Sequence, residues 1–197
     1  MIRVGPAGWS YEDWEGIVYP PKKGSKFDLL AYLADFFDTI ELNNTFYRSP
    51  TPQMGKSWVK RVQSNPRFKF TAKLYRNFTH ERQALTEGDE EAFKNGIAPL
   101  MENQHLGALL LQFPYSFHST EDSWNYLKEL AGKFREYPLV LEVRHASWDR
   151  GSVYQFLREM EVGFCNIDQP QVSYSIGATK KVTSAVGYLR LHGRNVH

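Results

Sequence analysis

Leu139–Arg144 reads LVLEVR. The run has the length and composition of a β-strand. Its two charged residues, Glu142 and Arg144, stand two positions apart, so they share one face. In a parallel sheet roofed by helices, one face of each strand packs under those helices. A carboxylate and a guanidinium buried there would be costly to desolvate. In a closed parallel barrel the opposite face points inward, and its upper end is where polar side chains can meet. This one strand therefore favours a (β/α) barrel with Glu142 and Arg144 turned into its mouth.

The rest of the chain repeats the pattern. Strand-like runs are expected at Ile2–Ala7, Thr39–Asn43, Phe68–Lys73, Leu106–Gln112, Leu139–Arg144, Val162–Asp168 and Val186–His192. Helical spacing is expected over Phe27–Phe37, Pro52–Gln63, Asp89–Glu102, Thr120–Phe134 and Ser152–Met160, with Thr120 as an N-cap. Strands alternating with helices imply parallel strands joined by right-handed crossovers. An open doubly wound sheet is the competing architecture. GPAGWSYEDW after the first strand is an aromatic loop and carries no glycine-rich phosphate fingerprint. The fold class expected is α/β, a TIM-type (β/α) barrel, as a single domain over residues 1–197.

Almost every expected strand ends in polar residues. Glu41 with Asn43, Glu142 with Arg144, Asn166 with Asp168, and Arg190 with His192 are all period-two pairs. Lys73 and Gln112 close two further strands. Active sites of (β/α) barrels lie at the C-terminal ends of the strands. Glu41, Asn43, Lys73, Gln112, Glu142, Arg144, Asp168, Arg190 and His192 are thus expected to converge there. The competing reading is structural, with Glu142 neutralised by Arg144 or Arg190. Trp9, Tyr11, Trp14, Phe46, Tyr47 and Trp148 follow strands and either wall the same mouth or pack its loops.

The cations in this set suit an anionic, phosphorylated or polyhydroxylated ligand, since arginine offers a two-pronged fork to phosphate or carboxylate. Glu41, Glu142, Asp168 and His192 are the candidates for acid/base catalysis. A hydrolase or an isomerase fits these groups. The alternatives are a non-catalytic anion- or nucleic-acid-binding protein and a metal-dependent phosphodiester hydrolase; no compact metal signature is present, and the neighbouring cations disfavour a metal. No cofactor is identifiable. The net charge of +2 neither requires nor excludes nucleic acid. Hydrophobic residues make up 42% of the chain, yet no apolar run approaches the roughly 20 residues of a membrane helix. The single cysteine, Cys165, provides no intrachain disulfide. A cytoplasmic protein with no membrane partner is expected.

AGWSYEDWEGIVYP, IELNNTFYRSP, FKFTAKL, LGALLLQFPYSF, LEVRHASW and YLRLHGRN occur in that order along the chain. As an ordered set they resemble the domain of unknown function 72 (YecE-like) family. The resemblance implies a TIM-type barrel and names no activity. It implies polar positions at Trp9, Glu41, Asn43, Tyr47, Lys73, His80, Gln112, Glu142, Arg144, Asp168, Arg190, His192 and Arg194; Trp9, Tyr47 and Arg194 already follow strands, so His80 is the residue it adds. It also implies further helices and an eighth strand after HGRN. A full barrel takes about 250 residues, so seven strands are expected here, with the eighth βα unit missing.

Overall fold

The computed structural model describes residues 1–194. Asn195, which closes the YLRLHGRN motif, lies outside the described residues. The elements are α1 Leu29–Ala34, β1 Thr39–Leu42, α2 Asn44–Tyr47, α3 Pro52–Arg61, β2 Lys69–Lys73, α4 Arg76–Thr79, α5 Glu87–Glu102, β3 Leu106–Gln112, α6 Glu121–Lys133, β4 Leu139–Glu142, α7 Gly151–Glu159, β5 Gly163–Asp168 and β6 Tyr188–Leu191. Short 3₁₀ turns occupy Glu12–Trp14, Arg82–Ala84 and Ala146–Trp148. The strands form one sheet in chain order, β1-β2-β3-β4-β5-β6, and the pairs β1/β2, β3/β4, β4/β5 and β5/β6 are parallel. No helix of the described residues is long and apolar enough to cross a membrane.

Six strands are present among the described residues, not the seven expected. The difference is Ile2–Ala7, which is not a strand. It still runs beside β1. The Pro6 carbonyl accepts from Glu41 N at 3.0 Å, and a Cβ on Gly5 would fall 1.7 Å from the Thr39 carbonyl oxygen. A ladder needs repeated donors, and Pro6 has no N–H to give. Ile2 and Val4 are exposed, so no apolar face fixes a register.

Contacts divide the chain into two compact units. The first comprises Met1–Lys73 and Thr86–Gly107, the second Leu74–Leu85 and Ala108–His197. In the first, α3 and α5 approach closely through glycine. A Cβ on Gly96 would lie 2.0 Å from the Pro50 carbonyl oxygen, and one on Gly55 would lie 2.6 Å from the Gly96 carbonyl oxygen. Helix starts follow capping chemistry. Thr51 caps α3 with Pro52 in its first turn, and Thr86 with Asp89 forms a capping box that starts α5 two residues before the spacing predicts.

Asp28 caps α1, accepting from Leu30 N and Ala31 N at 3.0 and 3.1 Å, and it receives Arg61 Nε and Nη2 at 2.7 and 2.6 Å. Burial pushes its carboxyl pKa up, but the bonds from Arg61 and the two amides outweigh this and hold it below the usual value. Asp28→Ala is expected to cost about 1–2 kcal/mol near pH 7. Asp28→Asn keeps a cap and should cost less. Because the folded pKa is depressed, the charged carboxylate stabilises fully above the unfolded value of about 4 and loses its effect as pH falls below it. Denaturant titrations of wild type and Asp28→Ala should therefore converge in acid; a gap that widens there would refute the assignment.

In the second unit, Thr120 caps α6 as expected, accepting from Ser123 N. The core is built from β3, β4 and β5, where Leu109, Leu110, Leu111, Val140, Leu141 and Phe164 are almost fully buried. Alternation is clearest on β6. Tyr188 and Arg190 are half-buried, whereas Leu189 and Leu191 are 61% and 73% exposed. The period-two reading of this strand is correct, but its leucine face is uncovered among the described residues.

Candidate functional site

Glu142 is the last residue of β4 and is completely buried. Register sets its surroundings, since Gln112 pairs with Glu142 across β3/β4 and Ile167 with Arg190 across β5/β6. Arg190 Nη1 donates to Glu142 Oε2 at 2.7 Å, and Arg144 Nη2 lies 2.5 Å from Oε1. The Cys165 thiol adds a weak donor to Oε2 at 3.8 Å. One carboxylate thus faces two guanidiniums.

His192 completes the group. Its Nε2 lies 3.3 Å from Arg144 Nη2 and 3.2 Å from Arg190 Nη1, and 3.9 Å from Glu142 Oε1. Guanidinium nitrogens only donate, so Nε2 accepts both bonds through its lone pair and the ring proton sits on Nδ1. Arg144 is further fixed by donation from Nη1 to Gln169 Oε1 at 2.6 Å. Arg144 and His192, which the spacing places inside strands, stand just beyond the observed ends of β4 and β6; the His192 amide still donates to the Asp168 carbonyl at 2.8 Å.

Asp168 ends β5 and is engaged by Arg194, with Nε and Nη2 each 3.0 Å from a carboxylate oxygen. The Arg194 side chain is 77% exposed. The Glu142 group thus brings together Glu142, Arg144, Arg190 and His192, with Asp168 and Arg194 paired separately. Gln112 lies beside Glu142 in register, with its Oε1 buried and without a hydrogen bond. His80 is exposed after α4, its Nδ1 2.9 Å from Thr79 Oγ1. Asn166 turns to other work, binding the Lys181 amide and carbonyl and the Thr179 hydroxyl, and so pinning the segment that leads to β6.

The first unit holds its own polar cluster. Glu41 is 6% exposed, and Lys73 Nζ lies 3.6 Å from its Oε1. Lys73 also stands over the Phe46 ring, and its carbonyl accepts from Thr45 Oγ1. Asn43 donates to the Ala7 carbonyl at 2.9 Å, while its Oδ1 is buried without a hydrogen bond. Tyr47 is 68% exposed. Trp9 is half-buried, with the Arg61 guanidinium over its ring.

Two features of the second unit went unread in the sequence. Gln169, which orients Arg144, is 7% exposed and follows the last strand residue Asp168 without any motif. The other is an aromatic cluster at the ends of β3 and β4. His118 and His145 stack with centroids 3.9 Å apart, Tyr115 meets both edge-on, and Tyr174 lies nearly parallel to His145. Burial, and after it the neighbouring His118, holds the His145 pKa below the usual imidazole value. Tyr174 adopts φ 61°, an uncommon conformation for a bulky residue. Among the described residues, no group of three or more His, Cys, Asp or Glu is placed to hold a metal ion.

Comparisons with known proteins agree with one another. The UPF0759 protein YunF of Bacillus subtilis (strain 168) is 30% identical, over 99% of this chain and 71% of its own length. The UPF0759 protein YecE of Escherichia coli (strain K12) is 29% identical, over 74% of this chain and 49% of its own. Crystal structures of DUF72 family proteins are similar throughout. One from Thermotoga maritima MSB8 has a TM-score of 0.83 and 34% identity, covering 100% of this chain and 76% of that protein. One from Enterococcus faecalis V583 has a TM-score of 0.86 and 29% identity, covering 99% and 72%. The family described as "Protein of unknown function DUF72" matches residues 3–197, and the chain belongs to it.

Proposed function

We propose that this protein binds an anionic, phosphorylated or polyhydroxylated small molecule at the C-terminal ends of β4, β5 and β6 and acts on it by acid/base chemistry. The observation that carries this reading is the buried Glu142 carboxylate held by two guanidiniums, with His192 Nε2 against both. Guanidiniums offer planar, charge-assisted donors to an anionic oxygen. Arg144 and Arg190, pinned by Glu142, are pre-organised to receive it. His192 is the group able to take a proton, and Glu142 and Asp168 act by holding the cations and the imidazole in place. In the second unit Gln112 and Arg194 are read as further ligand-facing groups, and in the first Glu41, Asn43, Lys73, Trp9 and Tyr47 are read by themselves as a ligand-facing cluster.

The same reading takes the sheet as part of a TIM-type (β/α) barrel. Its sequential strand order and the gathering of ionisable side chains at strand C-termini are what that architecture requires. A cytoplasmic setting belongs to it as well.

Calorimetric titration with inorganic phosphate and ribose 5-phosphate tests the binding. Arg190→Gln is expected to weaken it tenfold or more, the loss typical of one charge-assisted hydrogen bond. His192→Ala should leave binding largely intact and abolish turnover in a substrate screen. No binding by wild type, or equal affinity in Arg190→Gln with an unchanged circular dichroism spectrum, would reject the reading.

A further inference from the structure

Arg82 stands apart from the Glu142 group. It opens the 3₁₀ turn Arg82–Ala84, and its guanidinium carbon lies 5.1 Å from the Tyr126 ring centroid and 5.3 Å from that of Phe117. Both rings are themselves fixed. Phe117 is 2% exposed and stacks on Phe113 at 3.9 Å, and the Tyr126 hydroxyl donates to the Phe78 carbonyl at 2.6 Å. Cation–π contact with two immobile rings restrains the guanidinium without using its N–H donors. No carboxylate pairs with Arg82 among the described residues. The adjacent Glu81 is committed to Arg76.

Arg82 also lines a cleft of about 470 Å³ together with His80, Glu81, Gln83, Ala84 and Tyr126. That volume is in the range of small-ligand sites. The cleft therefore combines a restrained cation whose donor edge is unused, a neighbouring imidazole, and an acidic residue already neutralised from outside. The restrained guanidinium favours an oxyanion, and the pairing of Glu81 with Arg76 lessens the repulsion that its carboxylate would otherwise offer.

We infer that the Arg82 cleft is a second anion site, taking a carboxylate or phosphate group on the fork of the Arg82 guanidinium, with His80 at its margin. It stands independently of the Glu142 site. Planar two-pronged geometry is what Arg supplies and Lys does not, so Arg82→Lys should behave like Arg82→Gln and not like wild type.

The test is titration of the full chain with sodium phosphate and with sodium acetate, following the Arg82 Nε–Hε resonance by ¹H–¹⁵N NMR, with sodium chloride at equal ionic strength as control. The expected result is a saturable shift in wild type and in Arg190→Gln. Arg82→Gln and Arg82→Lys should show at least tenfold weaker binding of the same ion in calorimetry carried out in the Arg190→Gln background. A shift with phosphate alone identifies a phosphoryl ligand, and one with acetate alone a carboxylate ligand; either supports the site. A resonance that does not move, moves equally with chloride, or loses its shift in Arg190→Gln overturns it. Because Arg190→Gln weakens the other site at least tenfold, failure here and failure of the Glu142 reading are separately visible.

Discussion

Replacing Glu142 with alanine is expected to lower the unfolding free energy by about 3–5 kcal/mol, the cost of removing one partner from a buried ion pair. The carboxylate has no exposure, and the Arg144 and Arg190 side chains that it holds are 22% and 11% exposed. Without it, two guanidiniums remain close together in a poorly solvated place and repel each other. Glu142→Gln preserves shape and one acceptor and should cost less, since it leaves charge but not volume unmatched. Replacing Arg190 by methionine in the Glu142→Ala background should recover part of the loss, because it removes one stranded charge. Urea midpoints at constant denaturant slope give these differences directly. A loss below about 1 kcal/mol for Glu142→Ala would mean that water solvates the group, as at an ordinary surface pair, and the claim that it organises the site would fall.

Much of this arrangement was legible beforehand, and its limits are physical. Period-two spacing paired Glu142 with Arg144 and Arg190 with His192, and the structure brings those four residues together. Spacing ended β2, β3 and β5 at Lys73, Gln112 and Asp168 as observed, but ran β1, β4 and β6 one or two residues too far, and it paired the faces because a side chain's face is a local property of extended backbone. It misjudged Ile2–Ala7, because whether an apolar run joins a sheet depends on the donors available to its neighbour, and Pro6 and Gly5 leave one bond to β1. The short helices α2 and α4, four residues each, were invisible because one turn has no periodicity to detect. Gln169 and the Tyr115–His118–His145–Tyr174 cluster depend on contacts between loops up to 59 positions apart in sequence, from Tyr115 to Tyr174. Arg82 escaped notice for the same reason: its partners Phe117 and Tyr126 lie on separate elements.

Trp148→Ala is the second substitution with a large expected effect, about 3–5 kcal/mol for a fully buried tryptophan. Trp148 has no exposure. It stacks on Phe117 with centroids 5.2 Å apart and planes 15° apart, and on Trp124 at 5.9 Å and 24°. Its indole N–H donates to the Phe117 carbonyl at 2.6 Å. Trp148→Phe keeps the stacking and leaves that carbonyl unpaired, so a loss of about 1–2 kcal/mol is expected from the hydrogen bond alone in the same denaturant titrations. The consequence extends beyond stability, because Trp148 supports two segments next to the proposed sites. On one side it ends the turn Ala146–Trp148 that His145 caps, in which Ser147 Oγ accepts from Ser119 N at 2.9 Å. On the other it supports Phe117, the ring beneath Arg82. Trp148→Ala should therefore weaken phosphate binding at Arg190 and oxyanion binding at Arg82 together, whereas Trp148→Phe should spare both. If Trp148→Ala, measured well below its unfolding midpoint, bound both probes as wild type does, the loops at the ends of β3 and β4 would be holding their geometry without this core, and the dependence of the two sites on it would be disproved.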